Sequence, residues 1–300
     1  MKWNKPTVED ITPKHYDFVS NLRHIERCGR VCYNSLDKMG EDTYEKFYNT
    51  IIPKDRNDPN LRPCDFHLSV LEHATAYLVI SPEIEAELEL VDFFIHNEYS
   101  VVMCHDVEIV HSYKMCHPLL NTKYYITTNH RVIYENELHD LIERYRTSEP
   151  YKEHELRKTF VINTGIDITR EFNRHRKLSI SESSTRYIDP TLPRHGGQIS
   201  FNEFEINNLS SENGEATCMF TNAVKNAEDS YRELRKLGVK PQIARKILPL
   251  GTSSTIVYTA FVKDWNKLLQ LRSKKAGAKG VHPDAIIIAD QIYDKIKDMR

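Results

Sequence analysis

Residues Arg174 to Tyr187 read RHRKLSISESSTRY. Two arginines bracket a histidine, seven residues follow Arg176, and Ser184 then precedes Thr185, Arg186 and Tyr187. Between Arg170 and Arg194 there are six Lys/Arg (170, 174, 176, 177, 186, 194) against three acids (171, 182, 189), with His175 and His195 in addition. Guanidinium forks, short hydroxyls and one carboxylate, Glu182, form a kit for gripping a nucleotide phosphate bidentately while hydrogen-bonding its base and sugar. A solvated charged face is the plainer reading of the same residues.

The rest of the chain makes that enrichment local. Over 300 residues the formal net charge is −2, with 28% charged and 40% hydrophobic residues. This balance is globular and argues against a polybasic role on nucleic acid or a membrane surface. The longest uncharged stretch, Leu248–Val262, is interrupted by Pro249, Gly251 and a run of hydroxyl residues, so it reads as buried chain and not as a span. Met1–Asp10 carries four charges with no apolar run behind it, and a cytoplasmic protein is expected. Six cysteines without a CxxC suggest reduced thiols, neither a disulfide framework nor a zinc ribbon.

Glycine placement excludes more. There are ten, none between residues 40 and 165, and their spacings match neither GxGxxG, nor a Walker loop, nor GxSxG; HExxH is also absent. Any bound phosphate must therefore be held by side chains.

No repeat or flexible linker divides the chain, so one domain over 1–300 is expected, with a decorating insertion or lid at about 105–155. TAYLVI at Thr75–Ile80 reads as a core strand, and a short helix is expected around Glu135–Tyr145. Ala216, Phe220, Ala223, Ala227, Tyr231 and Leu234 recur at helical spacing, with Gly238 placed to end the helix. Pro241–Ile247 reads as a second short helix, closed by Pro249, and Thr255–Phe261 as a strand. Asp264 is the expected N-cap of a helix carrying Trp265, Leu268, Leu269 and Leu271, and a last helix spans Asp284–Met299. A helix starting near Asp167 would turn Arg170 and Arg174 the same way.

With those residues in view, Arg174-His175-Arg176, seven residues and Ser184 resemble the RHRx7S signature of flavin-dependent thymidylate synthases. His67-x-Ser69-Val70-Leu71-Glu72-His73 is similar to the upstream family segment, Ala244-Arg245-x-x-Leu248-Pro249 to the downstream one, and Leu271-Arg272 to the late family arginine. The resemblance runs from about residue 20 to 295 and suggests a divergent bacterial or phage-like branch. It implies an α+β fold, a twisted central sheet flanked by helices, and a homotetramer whose sites are shared between subunits. It implies FAD as cofactor, with NADPH and 5,10-methylenetetrahydrofolate as co-substrates for converting dUMP to dTMP, and no nucleic-acid partner.

Carried over by position, the resemblance puts Ser69, Arg174, His175, Arg176, Glu182, Lys263 and Lys267 against the flavin. The nucleotide falls to Arg170, Glu171, Arg174, Glu182, Ser183, Ser184, Thr185, Arg186, Arg245 and Arg272. Arg272 takes the catalytic role, a fixed cation at the imide edge of the uracil as charge builds up. Ser184 lacks an adjacent base in sequence and reads as a ligand, not a nucleophile. Glu171 and Ser181 stand where many members have glutamine and asparagine, and Phe261, Lys263 and Lys267 where better-known members have asparagine, arginine and asparagine or histidine.

Two other readings remain. A relative could hydroxymethylate or methylate a different pyrimidine nucleotide. A nucleic-acid-binding protein could use residues 170–194 as a phosphate track, against which the interleaved Glu171 and Glu182 speak. His105, His111 and His117 with Cys104 and Cys116 have no metal-ligand spacing, and no metal is expected.

Overall fold

A computed structural model describes residues 1–53, 62, 66–104, 107–109, 118–203 and 214–299. The described strands are β1 (Lys2–Asn4), β2 (Thr7–Asp10), β3 (Thr75–Ile80), β4 (Val101–Cys104), β5 (Val107–Ile109), β6 (Tyr124–Asn129), β7 (Arg146–Thr147), β8 (Arg157–Gly165), β9 (Ser179–Glu182), β10 (Ser200–Asn202) and β11 (Ser253–Phe261). The helices are α1 (Phe18–Cys32), α2 (Thr43–Ile51), α3 (Glu85–His96), α4 (His130–Glu135), α5 (His139–Ile142), α6 (Ile166–Phe172), α7 (Gly214–Lys236), α8 (Pro241–Ala244), α9 (Val262–Arg272) and α10 (Pro283–Ile296).

The architecture is α+β, and its centre is an antiparallel sheet in the order β2-β8-β11-β9. Alternation along β8 and β11 assigns two faces. Phe160, Ile162, Ile256, Tyr258 and Ala260 turn towards α6, α9 and α10, where Trp265, Leu268, Ile288 and Ile292 close a core. Val161 and Val257, opposite one another in the ladder, face Leu22, Ile25 and Cys28 of α1. Trp265 is fully buried, and its indole nitrogen donates to the Lys158 carbonyl at 3.1 Å, so a large apolar ring enters the core without stranding its polar atom.

Helix α1 starts where Asp17 accepts a hydrogen bond from the Ser20 amide, a side-chain N-cap. It crosses α2 at Gly29, where a Cβ would sit 2.3 Å from a Phe47 ring carbon. Only glycine permits that approach.

A second sheet, in the order β5-β4-β6-β3-β7, is drawn entirely from Thr75–Thr147. Leu78, Ile126 and Val102 form its apolar face with Leu90, Val91 and Phe94 of α3. Residues 124–135, read in sequence as part of a decorating region, supply its inner strand β6 and the buried helix α4. Arg157, at the start of β8, ties the two sheets together by donating to the Glu72 and Ala74 carbonyls and to the Thr75 hydroxyl at 2.8, 3.4 and 3.2 Å.

Most element readings stand, with three corrections. Gly238, at φ 84°, follows the end of α7, but the buried side of that helix runs through Val224, Glu228 and Tyr231, leaving Ala223 exposed. Asp264 is not an N-cap; Phe261 holds that place and Asp264 lies in the first turn, bonded to Lys267. Helix α6 stops at Phe172, so Arg174 follows the Asn173 cap and does not share a helical face with Arg170. No described helix is long and apolar enough to cross a membrane.

Candidate active site

Strand β9 delivers the hydroxyl run. Beyond Glu182 the chain keeps its pairing with β11 through Ser183 N–H to the Thr255 carbonyl at 2.8 Å, then crosses to α1, where Ser184 N–H donates to the Cys32 carbonyl at 2.8 Å. The next turn is held by the Ser184 hydroxyl accepting from the Arg186 amide at 3.3 Å. Arg245, just after α8, donates from its guanidinium to the Thr185 hydroxyl. Ser183, Ser184, Thr185 and Arg245 therefore line one cavity of about 180 Å³.

Several of its lining residues carried no signal in the sequence reading. Asn163 of β8 accepts from the Thr255 hydroxyl at 2.6 Å and donates to Thr7 at 3.1 Å, a fixed amide on the cavity wall. Asn34 lines it from a left-handed backbone conformation at φ 45°, just past α1. His195 and Gln198 come from the turn after Pro193. Burial, and then Arg194, lowers the His195 pKa, and its Nδ1 is buried without a hydrogen-bond partner. Of these four, only His195 adjoins the basic segment visible in the sequence.

A second cluster gathers at the ends of α6 and α9. Arg272 forms an ion pair with Glu171 at 3.2 Å, the two side chains being 21% and 25% exposed. Burial, with Arg272 adding positive charge, holds the His175 pKa below its ordinary value. Arg170, Arg174 and Arg176, close in sequence to Glu171 and His175, are exposed. Arg186 is exposed too, with its guanidinium 5.1 Å from the centre of the Tyr187 ring. Glu182 links this cluster to β9 by accepting from the Thr169 hydroxyl at 3.1 Å. Ser69 is exposed on the 3-10 turn Leu68–His73, which packs against β9.

The third group is a cleft of about 260 Å³ between the two sheets, lined by Lys177, Lys263, Lys267, Arg157, Tyr99 and Phe261 among others. Its cations outnumber its acids: Lys177 pairs with Glu98 at 3.6 Å and Lys267 with Asp264 at 3.1 Å. Arg157 is 4% exposed and forms no ion pair among the described residues; burial lowers its pKa to about 10. A guanidinium kept this deep without a carboxylate gives the cleft a standing positive potential.

The nucleotide and flavin residues expected from sequence are thus split within one chain. Ser183, Ser184, Thr185 and Arg245 meet at the cavity; Glu171, His175 and Arg272 gather at the helix ends, with Arg170, Arg174 and Arg176 exposed beside them in the chain; Lys263 and Lys267 face the cleft. Among the described residues no group of three His, Cys, Asp or Glu could hold a metal ion. His105, His111, His117, Cys116 and Cys64 lie outside the described residues.

Comparison with known proteins adds the following. The family model for thymidylate synthase complementing protein matches residues 103–299. A probable flavin-dependent thymidylate synthase of Paramecium bursaria Chlorella virus 1 is 27% identical over 143 residues, covering 46% of this chain and 66% of its own length. A flavin-dependent thymidylate synthase of Tropheryma whipplei strain TW08/27 is 30% identical over 148 residues, covering 45% and 59%. The match thus spans less than two thirds of either relative. A solved UMP/dUMP methylase, PolB from Streptomyces cacaoi with bound 5-Br dUMP, is 23% identical with a TM-score of 0.39, covering 47% of this chain and 67% of that one.

Proposed function

The chain belongs to the thymidylate synthase complementing protein family, and on that premise we propose that it is a flavin-dependent methyltransferase converting dUMP to dTMP. The observation that carries the reading is the meeting of Ser183–Thr185 with Arg245 on one cavity wall, two motifs sixty residues apart joined by a hydrogen bond. Arg245 would take the nucleotide phosphate, with the hydroxyls completing its hydrogen bonds and Asn163 offering amide groups to base or sugar. At about 180 Å³ the cavity is smaller than the roughly 300 Å³ usual for a small-molecule site. A homotetramer in which the Arg272 cluster of one subunit completes the Arg245 cavity of another would enlarge it.

The chemistry of the cationic cleft suits FAD. Lys263, Lys267 and Lys177 would hold its diphosphate, with the buried Arg157 adding positive potential from behind, and Arg174, His175, Arg176 and Ser69 would contact the flavin as the family resemblance implies. Bound there, a flavin supplies the redox capacity that side chains lack. NADPH would be the reductant and 5,10-methylenetetrahydrofolate the one-carbon donor. Of the side chains, Arg272 would hold positive charge at the uracil's imide edge, Glu171 would fix its orientation, and His175 would stay neutral beside it.

Purified protein reconstituted with FAD should show a flavin absorption band and convert dUMP to dTMP, identified by product mass, when given NADPH and the folate. A hydroxymethylated product would move the reading to a related pyrimidine-modifying enzyme. Absence of the band, with tight and steeply salt-dependent binding to DNA, would overturn it. Arg245→Ala should weaken dUMP binding by about 10- to 100-fold, as expected for a lost charge-assisted hydrogen bond, leaving FAD binding unchanged. Titration calorimetry with each ligand checks both halves of that expectation.

A further inference from the structure

His73 is given no role in the reading above, yet both nitrogens of its imidazole are engaged. It is 1% exposed. Its Nδ1 lies 2.8 Å from the Thr259 hydroxyl of β11, and its Nε2 lies 2.9 Å from the Ser181 hydroxyl of β9. The line continues behind Thr259 to Thr159 at 2.8 Å and from Thr159 to His24 at 3.3 Å. Burial, reinforced by His24 and Arg157, holds the ring neutral, so one nitrogen donates and the other accepts.

The place of this contact gives it a consequence. Strand β9 is four residues long and forms the edge of its sheet, with β11 as its only strand neighbour among the described residues. A short edge strand has few ladder bonds to fix its position. On the sheet face turned to α1, Ser181 meets His73 and also hydrogen-bonds the Cys32 thiol at the end of α1. Two residues later the chain becomes Ser183–Thr185, the wall of the cavity.

We propose that His73 is a positioning residue, which sets the cavity wall through its hydrogen bond to Ser181 and so tunes nucleotide affinity without touching the nucleotide. This rests on the cavity being the dUMP site. The two ring nitrogens can be separated by substitution. In His73→Asn the side-chain amide reaches only the Nδ1 position, keeping Thr259 and losing Ser181; in His73→Gln it reaches the Nε2 position, keeping Ser181 and losing Thr259.

Dissociation constants for dUMP measured on the FAD-reconstituted protein then discriminate. His73→Asn should raise the constant about 10-fold, the size of one lost hydrogen bond, whereas His73→Gln should stay within about 3-fold of wild type. Ser181→Ala, which cuts this tie together with the Cys32 contact, should raise the constant at least as far as His73→Asn, and adding His73→Asn to it should cost nothing further. Equal values for Asn and Gln, or wild-type affinity in Ser181→Ala, would overturn the positioning role. Should the His73 variants fail to fold, Ser181→Ala decides alone. Wild-type protein that does not bind dUMP at all would remove the functional reading beneath it, a distinct outcome.

Discussion

Arg272→Ala is expected to reduce dUMP turnover by about 10²–10³ while the flavin absorption of the reconstituted protein is retained, the usual loss for one preorganised donor at a site of developing charge. The structure gives the size its reason. Arg272 closes α9 and is held by Glu171 at 3.2 Å, and it is only 21% exposed. Its Nε is buried without a hydrogen-bond partner. The guanidinium is thus held in place before any ligand arrives and needs no reorganisation to act. Arg272→Lys should recover only part of the activity, because a flexible point charge replaces a fixed fork. Glu171→Gln should lie between wild type and Arg272→Ala, since it releases the cation without removing it. Steady-state kinetics with the visible spectrum as control provide the test; full activity in Arg272→Ala would end the assignment.

Acid is the second large lever. His24, His73 and His130 are buried, and each is disfavoured as a cation: burial is the main cause in all three, and Arg157 adds to it in all three. The folded pKa of His24 falls to about 3, and those of His73 and His130 lie well below 6.5. Below about pH 6.5 the unfolded chain therefore binds protons that the native chain refuses, and stability falls as pH falls. Each histidine costs about 1.4 kcal/mol per pH unit in that window, so the three together cost about 4. Against a typical total of about 5–15 kcal/mol, stability is expected to fall steeply between about pH 6.5 and 5. Carboxylates such as Asp17, which Ser20 holds below its usual range, weaken the fold only at lower pH. Urea unfolding at pH 7, 6 and 5 measures the slope, and His130→Gln should reduce it by about a third. Unchanged stability over that range would contradict the neutral, buried state of these rings.

What could be read in the sequence was whatever local spacing encodes. Thr75–Ile80 announces itself by β-branched and aromatic residues, α7 by its helical period with Gly238 beyond it, and β11 by Thr255–Phe261. RHRx7S marks the arginines and the hydroxyl run because they are neighbours in the chain. Strand β6, YYITTN, was missed because tyrosines and threonines among asparagines look like solvated chain until neighbouring strands and helices bury them. Strand β8 begins with Arg157-Lys158, which no apolar pattern would pick out. The imidazole of His73 reaches partners 186 and 108 residues away. Contacts of that range follow from topology, and no motif spells them out. The division of the expected site residues into three groups was equally invisible, since residue spacing does not say which faces of the molecule they occupy.

Arg157 donates to the carbonyl of Ala74, so the point where the chain departs into its five-stranded layer and the point where it returns are side by side. Every strand pairing of the layer that carries the cavity wall is made by residues outside 75–156. In path, the smaller layer is a detour with a common exit and entrance, and a few residues of linker would bridge its mouth. The same junction is closed by one guanidinium together with the Tyr77 hydroxyl, which accepts from the Arg157 amide.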